Sequence, residues 1–188
     1  MRHVNKVDAA AEERVMAVVE RTGEVKEHCK RGNSFNFTDR NYTRAIAEYS
    51  EVLKLLPNDD DSFIFYGESV FKDFVYSLRG SCYNNMNQLE KALADFDKAI
   101  SLNQEDGGYY QNRSVTYLKL GEPEKAAADI NKAVELELEK AAQYYCVFGS
   151  NLAEQTGNRK EAAVYLKKSV EHGDFYGSSQ ALLAKWGM

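Results

Sequence analysis

Large and small apolar residues recur along the chain at helical offsets, and the pattern repeats itself. Val15, Val18, Val19 and Thr22 share one face of a predicted N-terminal helix over 8–22. Further on, shifting the chain by 34 residues places Tyr76 on Tyr110, Gly80 on Ser114, Tyr83 on Tyr117, Asn87 on Gly121, Ala92 on Ala126, Phe96 on Ile130 and Ala99 on Ala133. Small residues superpose on small and large on large, which identifies a repeated helix-turn-helix unit. Gly80/Ser114 and Ala92/Ala126 let two helix backbones approach, while Tyr76, Tyr83 and Phe96 fill the space between them. Asn87 and Gly121 fall in the turn between the two helices, where a left-handed backbone is commonly required.

These residues resemble the tetratricopeptide repeat, in which a large residue is followed by Leu-Gly, Tyr, a turn Gly, Ala, an aromatic, Ala and Pro. The match is fullest over 73–106 and 107–140. A copy over 25–59 carries Gly32, Tyr42, Ala45, Tyr49 and Pro57, with one extra residue before its turn. Another over 143–176 retains Gly157, Ala162, Leu166 and Ser169, but its first helix has no clean Gly-to-Tyr pairing. The resemblance implies an all-α, right-handed superhelical solenoid forming a single domain. The segment 175–186, FYGSSQALLAKW, reads as the capping helix that such an array needs to cover its last interface.

One stretch departs from the period. Ala45 and Ala92 are 47 positions apart, 13 more than the repeat. The added residues, 60–72, follow Asp59-Asp60-Asp61-Ser62, a helix-start signature, and Phe63, Tyr66, Val70, Phe71 and Phe74 recur at helical spacing. This predicts either a second-unit helix lengthened from about Ser62 to Asn85, or a short separate helix broken at Gly67. Its aromatic density also makes Phe63, Tyr66 and Phe71 candidates for a second interface, with a homodimer as the outcome.

The chemistry available narrows the function. The net charge is -5, and Lys and Arg are dispersed, so a nucleic-acid partner is not expected. The longest apolar stretch, near 63–76, is broken by Gly67, Glu68, Lys72 and Asp73, so no membrane span is expected. Asp8 to Glu13 is Ala and acid where a signal peptide would be apolar, which favours a cytoplasmic protein. Cys29, Cys82 and Cys146 are far apart and read as reduced thiols rather than metal ligands. His3, His28 and His172 have no nucleophile and acid arrayed about them, since adjacent His28 and Cys29 on a helix point in different directions. Asn58-Asp59-Asp60-Asp61 lacks the Gly and distant Glu of a calcium loop, and Gly107-Gly108 is in a turn without a phosphate-loop pattern. Glu12-Glu13, Asp95-Asp97 and Glu135-Glu137-Glu139 read as solvated outer-face charge. No enzyme, cofactor or metal is expected.

The resemblance then implies a scaffold or adaptor that holds a protein, as an extended peptide or a partner helix, in a concave groove lined by the first helix of each unit. Carrying the family's groove positions over gives Lys26, Cys29, Lys30 and Asn33 in the first unit, and Ser77, Leu78, Ser81, Asn84 and Asn85 in the second. The third supplies Gln111, Asn112, Val115 and Lys119, and the fourth Tyr144, Val147, Phe148 and Asn151. Amides and hydroxyls dominate, and an Asn or Gln offers both donor and acceptor to a peptide backbone. Some family members clamp acidic chaperone tails between Lys, Asn and Arg. Here Cys29 stands where the first clamp Lys is expected and Leu78 where an Asn should follow, so that ligand is not expected.

Overall fold

A computed structural model describes residues 9–56, 62–65, 68–173 and 177–188, with 9–20, 62–65 and 68–71 as backbone only. Contacts divide the chain into units 1–75 and 76–188.

The first unit opens with α1, Ala9–Asn33, followed by a π turn at Ser34–Thr38 and α2, Tyr42–Leu55. The predicted helix over 8–22 and the first helix of the 25–59 repeat are therefore one continuous element. A lone glycine inside a helix costs about 1 kcal/mol, too little for Gly23 to break a helix docked on a neighbour. Val25, Cys29, Ala45, Tyr49 and Val52 form the buried seam between α1 and α2. Gly32 permits the close approach, since a Cβ there would stand 2.7 Å from the Tyr49 ring.

The inserted stretch is not a helix. Residues Ser62–Phe65 and Glu68–Phe71 form antiparallel strands β1 and β2, with Ser62 opposite Phe71 and Phe65 opposite Glu68. Helix α3 begins only at Lys72 and ends at Asn85. Phe63, Ile64, Phe65, Val70 and Phe71 are the aromatic and β-branched types that favour a pleated surface, and Gly67 disfavours a helix through its middle. Ser62 accordingly starts a strand rather than capping a helix. Tyr66, Gly67 and Asn58 to Asp61 lie outside the described residues.

The second unit holds the rest of α3, then α4 (Leu89–Leu102), α5 (Gly107–Lys119) and α6 (Pro123–Leu136). A short 3-10 turn at Leu138–Lys140 leads to α7 (Ala141–Thr156), α8 (Arg159–Glu171) and α9 (Ser178–Lys185). Successive helices pack as a stack, α4 on α5, α5 on α6 and α7, α7 on α8, and α8 on α9. Asn87 and Gly121 turn the chain between paired helices with φ of 57° and 76°. Pro123 occupies the first turn of α6, where its missing N–H is harmless.

Glycine marks the helix crossings here too. A Cβ on Gly80 would stand 2.9 Å from the Phe96 ring, and one on Gly149 would stand 3.0 Å from Leu166. Gly149 is thus the close-approach residue of the fourth unit. Tyr144, Phe148, Leu152, Ile130 and Ala133 belong to the continuous core beneath it.

Asp95 is not solvated charge but is 6% exposed. It takes two hydrogen bonds from Arg79, Nε at 2.8 Å and Nη2 at 2.7 Å. One repeat later, Arg113 grips Asp129 with the same two atoms at 2.8 and 2.7 Å and reaches Asp97 at 2.7 Å. Each guanidinium also lies over two rings, Tyr76 and Tyr83 for Arg79, Tyr110 and Tyr117 for Arg113. The pair ties the first helix of a repeat to its second, and the flanking tyrosines shield it from water. In the first unit Arg31 plays a similar part, donating from Nε to Glu48 at 3.1 Å, with His28 in the place of the leading tyrosine.

Candidate functional site

A cleft of about 400 Å³ opens in the second unit where α3, α5 and α7 present their faces. Seven residues named from sequence line it: Ser81, Asn84, Asn85, Asn112, Val115, Lys119 and Asn151. Phe96, Glu154 and Gln155 complete the wall. The last two could have been found, because they occupy the twelfth and thirteenth positions of the fourth unit, the same positions as Asn84 and Asn85 in the second.

The side chains are held from behind. Asn84 is 7% exposed, and its Nδ2 donates to Thr116 Oγ1 at 2.8 Å. Asn112 Nδ2 donates to Ser77 Oγ at 3.3 Å, so Ser77 supports the cleft from a buried position rather than facing a ligand. Asn151 Nδ2 donates to the backbone oxygen of Val147 at 2.8 Å. Lys119 Nζ donates to the backbone oxygen of Asn84 at 2.9 Å. Burial lowers the Lys119 ammonium below the usual lysine range, while the Glu154 carboxylate acts the other way. Asn85 is exposed and Ser81 half-buried.

Other predicted positions fall elsewhere. Asn33 is in the first unit, where its Oδ1 accepts the Tyr49 hydroxyl at 2.8 Å and so steadies the α1–α2 seam. Gln111 is half-buried on α5 but outside the cleft. Tyr144 and Phe148 are core residues, 2% and 1% exposed, and are not groove contacts. Phe63 and Phe71 are positions in β1 and β2.

Candidate chemistry is accounted for by packing. Burial pushes the Cys29 and Cys82 thiols up to about 12, away from nucleophilic thiolate at neutral pH. His28 Nδ1 lies 2.6 Å from Glu48 and His172 closes the C-terminus of α8 beside Tyr145. Among the described residues, no three His, Cys, Asp or Glu side chains converge as metal ligands, and no helix is long and apolar enough to cross a membrane.

Profiles of the tetratricopeptide repeat match residues 74–106 and 107–140. The Hsp70-Hsp90 organizing protein 3 of Arabidopsis thaliana is 32% identical over 77 residues, which are 41% of this chain and 11% of that protein. The chain therefore spans about a tenth of that relative's length. Among solved structures, MamA superposes with a TM-score of 0.60 at 21% identity, covering 87% of this chain and 85% of its own. YrrB, described as a tetratricopeptide protein with an unusual peptide-binding site, gives 0.57 at 20% identity over 92% and 83%. A tetratricopeptide repeat protein from Parabacteroides merdae gives 0.63 at 18% identity, over 85% and 57%. At these identities the likeness is one of fold.

Proposed function

We propose, since this chain belongs to the tetratricopeptide-repeat family, that it works as a protein-interaction scaffold and holds an extended peptide or partner helix in the α3–α5–α7 cleft. The observation carrying this reading is that six independently named polar residues from three helices meet on one concave wall. Their amides are fixed by Thr116, Ser77 and Val147, so little side-chain freedom remains to be lost on binding. Neither the charge nor the spacing of an acid-tail clamp is present: the cleft's one lysine faces Glu154. A peptide selected from a displayed random library tests this. Replacing exposed Asn85 and half-buried Asn151 by Ala should weaken its binding by about 1 kcal/mol per lost bond, and unchanged affinity would count against the cleft.

A second reading rests on the hairpin. Two strands alone are marginally stable, and open strand edges recruit further strands. Self-association would then run through β1 or β2 of a second copy, in place of a projecting helix. Sedimentation velocity would show a dimer that dissociates when Pro replaces Ile64, whereas a monomer at all concentrations would dismiss it.

A further inference from the structure

Two amides on the cleft wall, Asn84 and Asn151, are not interchangeable donors and acceptors, because their partners fix which end faces inward. A backbone carbonyl only accepts, so the 2.8 Å contact between Asn151 and Val147 O must use Nδ2. Thr116 has a single hydroxyl proton, directed at the backbone oxygen of Asn112 at 3.3 Å. Toward Asn84 it therefore accepts, and Nδ2 must face it. Asn112 meets the Ser77 hydroxyl at 3.3 Å, a group that both donates and accepts. Asn84 and Asn151 are each left with one N–H against an oxygen carrying two lone pairs, and Asn84 Oδ1 is buried with no protein donor.

The rest of the wall tips the balance further. Glu154 adds an exposed carboxylate and Gln155 an exposed amide. On the donor side stand the N–H and O–H groups of Asn85, Gln155 and Ser81, and Lys119, with one proton already engaged by Asn84 O. A carboxylate entering here would meet the Glu154 carboxylate as well as the one lysine, and Asn84 Oδ1 would still lack a donor.

We infer that the cleft takes a positively charged, donor-rich side chain of the partner segment, arginine ahead of lysine. This rests on the cleft being the binding face and names the partner's chemistry. A guanidinium carries five N–H donors in a plane and no acceptor, so it can reach a carboxylate and an amide oxygen together. Its methylene stem can lie along Val115, and Glu154 supplies the charge-assisted bond.

The test uses the whole chain, 15N-labelled, with three blocked pentapeptides of sequence Gly-Ser-X-Ser-Gly in which X is arginine, citrulline or glutamate. Citrulline keeps the shape of arginine and removes its charge. The side-chain amide signals of Asn84, Asn112 and Asn151 should shift with the arginine peptide at a concentration about tenfold below that needed with citrulline, and glutamate should be weakest. Glu154 is exposed, so Glu154→Gln should leave the thermal melt unchanged while bringing arginine and citrulline to near equality. If citrulline matches arginine in the native chain, or glutamate binds best, the cation inference falls and the groove stands. Should none of the three peptides move these signals, both fall.

Discussion

Asp129→Ala should destabilise the protein by about 2–4 kcal/mol, and the structure sets where in that range it falls. Removing one partner of a buried ion pair costs about 3–5 kcal/mol because the other charge is stranded. Asp129 is 6% exposed and takes two bonds from Arg113. Arg113 would not be wholly stranded, since it keeps Asp97 at 2.7 Å and the faces of Tyr110 and Tyr117. The loss therefore belongs at the lower end. Asp97 is 57% exposed at its side chain, so Asp97→Ala should cost less than about 1 kcal/mol despite an equally short contact. Replacing the pair together, Arg113→Met with Asp129→Leu, should cost less than Asp129→Ala alone, because no charge is left behind. Urea denaturation followed by circular dichroism measures all three. The reasoning is refuted if Asp129→Ala lies within about 0.5 kcal/mol of the native chain, or if the double replacement is the worse of the two.

Further outcomes follow from other contacts. Gly80→Leu should cost about 1–3 kcal/mol, since even its Cβ would stand 2.9 Å from Phe96, and a thermal melt would show it; Gly121→Ala should cost about 1 kcal/mol for a different reason, the φ of 76°. In the native protein near pH 8, a thiol reagent should modify half-buried Cys146 first, with Cys29 and Cys82 reacting only on unfolding; three equally fast thiols would contradict their burial. Because both buried thiols ionise later in the folded state than in the unfolded one, their contribution to stability is complete below about pH 9 and lost as pH rises toward about 12. Asn84→Ala should lower stability as well as binding, since it removes the bond to Thr116, which is why Asn85 and Asn151 are the cleaner probes.

The core pattern was legible because packing repeats: Gly80 against Phe96 and the left-handed turns at Asn87 and Gly121 follow directly from the 34-residue superposition. Cleft residues on α3 and α5 were legible for the same reason. The hairpin was not, because Phe63, Tyr66 and Val70 satisfy a helical period while Phe63 and Phe65 satisfy an alternating one, and pairing between strands decides between them. Asp95 read as surface charge because its arginine partner stands 16 residues away on another helix. Tyr144 and Phe148 were placed in the groove by carrying the 34-residue register into the fourth unit, where the close-approach Gly149 stands 35 positions after Ser114.

The central claim is that the α3–α5–α7 wall holds the partner. Titrating the labelled chain with a library-selected peptide and recording amide and methyl shifts tests it directly. The account predicts that Asn85, Val115, Asn151 and Glu154 move together at a single affinity. Shifts confined to β1 and β2, or to the outer faces of α4, α6 and α8, would contradict it.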